Sequence, residues 1–192
     1  SMVATGGLTN GLSLNVTNGG INAATLTLPA APVDLSSTAG VTVGTMTGGS
    51  LSIEARGAVN VGSASTTGSS GIYVFTQACN YYSYVACAAS SPIVAGTLSA
   101  GGTGSIDLST YDNGNITVTN LTAGRDLYLR AGNVYPTSAG YPYTSQSTTN
   151  NIQLGTVVAG RYAEIDHRGQ GDISIASLSA VGDVYVQAGS SY

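Results

Sequence analysis

The feature that most constrains this chain is a repeat in its apolar residues. Gly114 to Tyr135 matches Gly171 to Tyr192 without gaps at an offset of 57: Ile116/Ile173, Leu121/Leu178, Ala123/Ala180, Asp126/Asp183, Tyr128/Tyr185 and Gly132/Gly189. Smaller units lie inside that offset. The pattern apolar-x-apolar-x-x-apolar-x-small starts at Ile21, Val41, Val59, Ile93, Ile116, Ile152 and Ile173. A second pair follows in each unit: Val33/Leu35, Leu51/Ile53, Ile72/Val74, Ile106/Leu108, Leu127/Leu129, Ala163/Ile165 and Val184/Val186.

A spacing of two is that of a strand with one buried face. Each unit therefore reads as three very short strands, each sending two side chains inward, with corners between them. Gly44, Gly62, Gly96 and Gly155 fall at the first corner and Gly101, Gly124, Gly160 and Gly182 near the second, where positive φ is the expected reason for glycine. Strands this short bury nothing alone, but stacked coils pair in parallel at roughly 4.7–4.9 Å. The expectation is an all-β fold, a right-handed parallel β-helix of about seven to eight coils of roughly 20 residues. Residues 1–20 read as a partial coil preceded by a Ser1-Met2 cloning scar, and 21–192 as the β-helix. A sandwich or barrel, with strands every roughly 8–12 residues, does not explain a unit that returns every 18 to 23 residues outside two longer gaps.

Composition excludes other classes. The 192 residues hold 27 Gly, 24 Ser and 23 Thr, no Lys and no Trp, so helix formers are scarce. A net charge of −4 with five scattered Arg argues against a nucleic-acid partner, which needs clustered cations. No apolar run approaches the roughly 20 residues of a membrane-spanning helix, and no signal-peptide pattern opens the chain.

The stretches Gly114-Asn115-Ile116-Thr117-Val118-Thr119-Asn120-Leu121-Thr122-Ala123-Gly124 and Gly171-Asp172-Ile173-Ser174-Ile175-Ala176-Ser177-Leu178-Ser179-Ala180 resemble the repeats of filamentous haemagglutinin-like proteins. These are bacterial adhesins and contact-dependent toxin stems exported by two-partner secretion. The resemblance covers most of residues 20–192. It implies a secreted or cell-surface location and a non-enzymatic shaft whose partner is a host or bacterial cell-surface glycan or a protein receptor. That family's secretion domain carries Asn-Pro-Asn motifs, and no Asn-Pro occurs here. Together with a last coil that has no polar cap, this reads as an internal segment.

Function on a repeat scaffold is expected where the repeat breaks. Two connections are long, 75–92 and 130–151, and both leave the same corner two coils apart, about 10 Å along the axis. Tyr81, Tyr82 and Tyr84 lie in the first, Tyr135, Tyr141 and Tyr143 in the second, and Tyr111 between them. With Arg130 and Arg168 as polar anchors, they form the expected binding edge, tyrosine supplying an apolar plate with a polar tip. The plainer reading is that these tyrosines pack the insertions onto the rod.

Cys79 and Cys87, the only cysteines, both fall in the first insertion. A local disulfide would tie that loop and imply an oxidising compartment; two unrelated reduced thiols are the alternative. Metal binding fails for lack of ligands, since His167 is the only histidine, and no cofactor is implied.

Two further surfaces carry a pattern of their own. Outward residues of the third strand read Asp34, Ser52, Tyr73, Asp107, Tyr128, Glu164, Tyr185. Asp107 and Glu164, two coils and roughly 9–10 Å apart, stand at or beyond the wide end of inverting-glycosidase geometry. With no Lys and no Arg expected in that strand, a polysaccharide-active enzyme is the lesser alternative. The second strand's outward positions are Thr25/Thr27, Thr45/Thr47, Ser63/Ser65, Thr97/Ser99, Asn120/Thr122, Thr156/Val158 and Ser177/Ser179. Such a hydroxyl ladder is the pattern of ice-binding β-helices, interrupted here at Asn120 and Val158.

Overall fold

A computed structural model of the chain describes residues 4–5, 10–77, 90–111, 113–132 and 150–189. Among these, every regular element is a strand: β1 (Ala4–Thr5), β2 (Leu12–Val16), β3 (Ile21–Ser37), β4 (Val41–Ala55), β5 (Val59–Thr66), β6 (Ile72–Thr76) and β7 (Ile93–Ala100). They continue as β8 (Ile106–Thr110), β9 (Ile116–Ala123), β10 (Asp126–Ala131), β11 (Ile152–Ala159), β12 (Tyr162–His167), β13 (Ile173–Ala180) and β14 (Val184–Ala188). All pairings are parallel, in the order β13-β11-β9-β7-β5-β4-β6-β8-β10-β12-β14, with β1 and β2 joined through β3. This is the solenoid-like arrangement of a parallel β-helix.

The register is the one the repeat dictates. Ile21, Val41, Val59, Ile93, Ile116, Ile152 and Ile173 pair in one unbroken column. Val33, Leu51, Ile72, Ile106, Leu127, Ala163 and Val184 pair in another. A parallel rung slipped by one residue would turn its whole apolar set outward. The two ladders enclose one core, in which Ile116, Val118, Leu121, Leu127 and Leu129 are all buried. Hydrogen bonds between rungs carry on around the corners, as in Ile116 N–H to Asn151 O (3.0 Å) and Gly124 N–H to Ala100 O (2.9 Å).

Two expectations need correction. The first two short strands of each unit are one element, as in β9, whose burial alternates until two consecutive outward residues, Thr119 and Asn120, carry it round the bend. In β3 and β4 all three merge. The bend is a change of parity within a paired strand, so it does not break the ladder.

The corner glycines also have a different cause. Gly44, Gly62, Gly96, Gly155, Gly101, Gly124, Gly160 and Gly182 do not have positive φ. A Cβ on Gly62 would lie 2.4 Å from the carbonyl oxygen of Gly44, and one on Gly160 would lie 2.0 Å from that of Gly124. Close stacking of one corner on the next excludes the side chain.

Candidate functional site

Strands β6, β8, β10, β12 and β14 send Leu, Ile, Val and Ala inward, so by parity their other residues form an outer face. One column on it is Tyr73, Asp107, Tyr128, Glu164, Tyr185, with Ser52 preceding Tyr73. A second, two residues on, is Phe75, Ser109, Arg130, Asp166, Gln187. The first column alternates tyrosine and carboxylate along the rod.

Arg130 ties the two columns together. Its Nε donates to Glu164 Oε1 at 3.2 Å, its Nη1 stands 3.6 Å from Asp107 Oδ2, and its guanidinium carbon is 5.1 Å from the centre of the Tyr128 ring. The expectation of no arginine in this strand is therefore wrong: β10 runs to Ala131 and contains Arg130. Backbone pairing outlasts the Leu/Ile alternation because Thr76, Thr110, Ala131 and His167 keep the inward parity with other side chains.

Ser109 donates its hydroxyl to Asp107 Oδ1 (3.0 Å), and Tyr162 donates its phenol to Glu164 Oε2 (3.3 Å). Burial pushes the Asp107 carboxyl above its ordinary value, against the opposing pull of the Ser109 hydrogen bond and of Arg130. Burial, then the Glu164 charge, pushes the Tyr162 phenol up. Rings flank the charges: Phe75 stacks beside Tyr73 at 6.4 Å between centroids, Tyr111 meets Phe75 edge-on at 4.8 Å, and Tyr162 lies 5.9 Å from Tyr128.

A second ion pair has a structural role. Asp126, buried at the start of β10, accepts from Arg161 Nε at 2.7 Å, and Arg125 Nε lies 3.4 Å away. The Arg161 hydrogen bond holds the Asp126 carboxyl below its ordinary value.

Of the residues proposed as a binding edge, Arg130 and Tyr111 belong to the face just described. Arg168 is engaged by Asp166 at 2.7 Å, so it is a positioned ion-pair partner instead of an open anchor. Tyr81, Tyr82, Tyr84, Tyr135, Tyr141 and Tyr143, and the cysteines Cys79 and Cys87, lie outside the described residues. Thr76 and Ala131, from which the two long connections leave, share one register column with Thr110 between them.

The inner side of that corner is polar. Thr76 donates to Ser91 O (2.6 Å), Thr110 to Gly114 O (3.0 Å) and Asn150 Nδ2 to Gly114 O (3.2 Å), satisfying carbonyls at the bends. His167 is fully buried in the same column, and among the described residues neither ring nitrogen meets a partner at full hydrogen-bond geometry. Burial pushes its imidazole below the ordinary value, with the Asn150 backbone, Asp166 and Asp172 opposing. Among the described residues no group of three or more His, Cys, Asp or Glu is placed to hold a metal ion.

The hydroxyl positions of the second segment also align. Thr25, Thr45, Ser63, Thr97, Asn120, Thr156 and Ser177 form one outward column, and Thr27, Thr47, Ser65, Ser99, Thr122, Val158 and Ser179 the other. Some spend their hydrogen bonds on each other, as Thr47 with Ser65 at 3.3 Å.

The residues that sequence reasoning passed over are Tyr73, Phe75, Tyr128, Tyr162 and Tyr185. The signal was the Tyr–acid alternation in the outward series, read only for its carboxylates. Comparison of the chain with family models, with curated proteins and with solved structures found no match.

Proposed function

We propose that this chain is a non-enzymatic attachment shaft of the filamentous haemagglutinin-like kind, part of a secreted or surface-borne bacterial protein. In this reading it is a right-handed parallel β-helix of about seven to eight coils, with both long connections leaving one edge. The observation that carries it is the contrast between faces of one rigid stack. A Ser/Thr surface covers one ladder, while rings, paired carboxylates and a shared arginine are gathered on the other. Aromatic plates with polar tips on a stiff support are suited to holding a partner.

Arg130 also bears on the enzyme alternative. A hydrolytic pair needs one carboxyl to give up a proton and the other to act as base or nucleophile. Here both carboxylates are held by one guanidinium, Glu164 at 3.2 Å and Asp107 at 3.6 Å. The reading therefore predicts no release of reducing sugar from polysaccharides.

The test is attachment of segment-coated beads to host-cell and bacterial surfaces, with competition by soluble segment. Saturable attachment supports the shaft reading, and beads that bind no better than albumin-coated ones overturn it. Ice binding stays as the second reading because the two hydroxyl columns are in register; thermal hysteresis abolished by Thr45→Tyr and Thr47→Tyr would put it first.

A further inference from the structure

We infer that the column Tyr73–Asp107–Tyr128–Glu164–Tyr185 is a binding strip for an extended, uncharged glycan that runs along the rod axis. This rests on the attachment reading and names its ligand class. Tyrosines recur on every second rung, so they stand about 9.5 Å apart. A linear ligand that meets them in phase repeats at that distance, the scale of a disaccharide in an extended β-linked chain.

The chemistry between the rings suits sugars. Tyr73 and Tyr185 are 38% and 47% exposed and offer apolar faces to sugar C–H groups. At Tyr128 the Arg130 guanidinium lies over the ring, 5.1 Å from its centre, so the planar surface on that side is the guanidinium itself. Asp107 and Glu164 sit between rings as hydrogen-bond acceptors for hydroxyls, held in place by Arg130, Ser109 and Tyr162. A shallow open groove beside Tyr73 and Asp107 is lined by Ser50, Ser52 and Ser105 together with Leu51, Gly71 and Ile72, a mixed apolar and hydroxyl surface next to the strip.

Charge narrows the ligand further. The strip's own carboxylates outnumber its one arginine, and that arginine is already shared between them. A sulfated or uronic chain would find no free cation there. A protein partner would favour a contiguous apolar centre; Tyr73, Phe75 and Tyr111 make a small patch of that kind at one end, but along the strip itself a carboxylate separates each tyrosine from the next.

The experiment is calorimetric titration of the intact chain with cellohexaose and chitohexaose, their disaccharides, and a sulfated oligosaccharide of equal length. The expected result is binding by a hexasaccharide, at least about tenfold tighter than by its disaccharide, because only the longer chain reaches a second ring. Tyr73→Ala and Tyr185→Ala should each weaken it about two- to tenfold, while Thr45→Val on the opposite ladder leaves it unchanged. All three variants should melt within a few degrees of the parent, since the altered residues face outward. No binding by either hexasaccharide, tighter binding by the sulfated chain, or affinity untouched by both Tyr substitutions would each overturn the inference. Bead attachment reads the shaft proposal separately: attachment without hexasaccharide binding leaves the shaft and removes this strip, and loss of both removes both.

Discussion

Replacing Leu121 and Leu178 by alanine, one at a time, makes the same chemical change at one repeat position in two surroundings. Leu121 is 1% exposed and lies between Leu98 on one rung and Val157 on the other. Leu178 occupies the same column in β13, pairs with Val157 on one side, and is only partly buried. At Leu121 the deletion leaves a cavity walled by rungs above and below, costing about 3–5 kcal/mol. At Leu178 roughly half the surrounding contact exists, and the cost falls to about 1–2 kcal/mol. For a chain of this size, about 2–4 °C of Tm accompanies each kcal/mol. Leu121→Ala should therefore lower Tm by roughly 6–20 °C and Leu178→Ala by roughly 2–8 °C, read by far-ultraviolet circular dichroism and repeated in urea. Equal losses, or a smaller loss at Leu121, would refute the stacking of β9 between β7 and β11.

Gly62→Ala should destabilise by about 1–3 kcal/mol, because the new Cβ meets the Gly44 carbonyl at 2.4 Å and the corner must open; urea unfolding measures it. His167 gives a pH dependence of definite sign. Its folded pKa is depressed by burial, so the unfolded chain takes up the proton first as pH falls through the ordinary imidazole value of 6.5. Stability is then full above that pH and declines below it, and His167→Leu should flatten the slope of Tm between about pH 7 and 5. Asp126, held low by Arg161, adds stability present above 3.8 and lost as pH drops through its folded value, and Arg161→Gln should reduce that acid-side loss. Arg130→Gln removes the cation shared by Asp107 and Glu164; the Asp107 carboxyl should titrate higher still by carbon-detected NMR, with stability changed by less than about 1 kcal/mol.

The fold was legible because its signal is carried by inward side chains that every rung needs. Ile116 and Ile152 share a register for the same reason they share a spacing: a one-residue slip would expose both. The strand count per unit was not legible, since Thr119 and Asn120 change parity without breaking the backbone ladder, and apolar spacing cannot distinguish a bend from a break. The glycine positions were legible and their cause was not. Exclusion of a Cβ by the carbonyl of the rung below depends on a neighbour far away in sequence, as Gly160 on Gly124 shows. For the site, alternation predicted which residues face out, and Asp107, Tyr128 and Glu164 do so in one column. The reach of Arg130 from the adjacent column to both carboxylates lies in rotamers and the rung spacing, which a linear pattern does not contain.

The central claim, that residues far apart in sequence stand on successive rungs of one parallel stack, has a direct test in axial distances. With the native cysteines replaced by serine, spin labels at exposed positions Thr45 and Ser177 lie in one outward column, five pairings apart through β5, β7, β9, β11 and β13. Pulsed electron-spin measurements should give a narrow distribution near 24 Å, and moving the second label from Ser177 to Thr156 to Asn120 should shorten it by about 4.8 Å per step. A broad distribution, or distances that do not follow that order, would contradict the stack and the faces built on it.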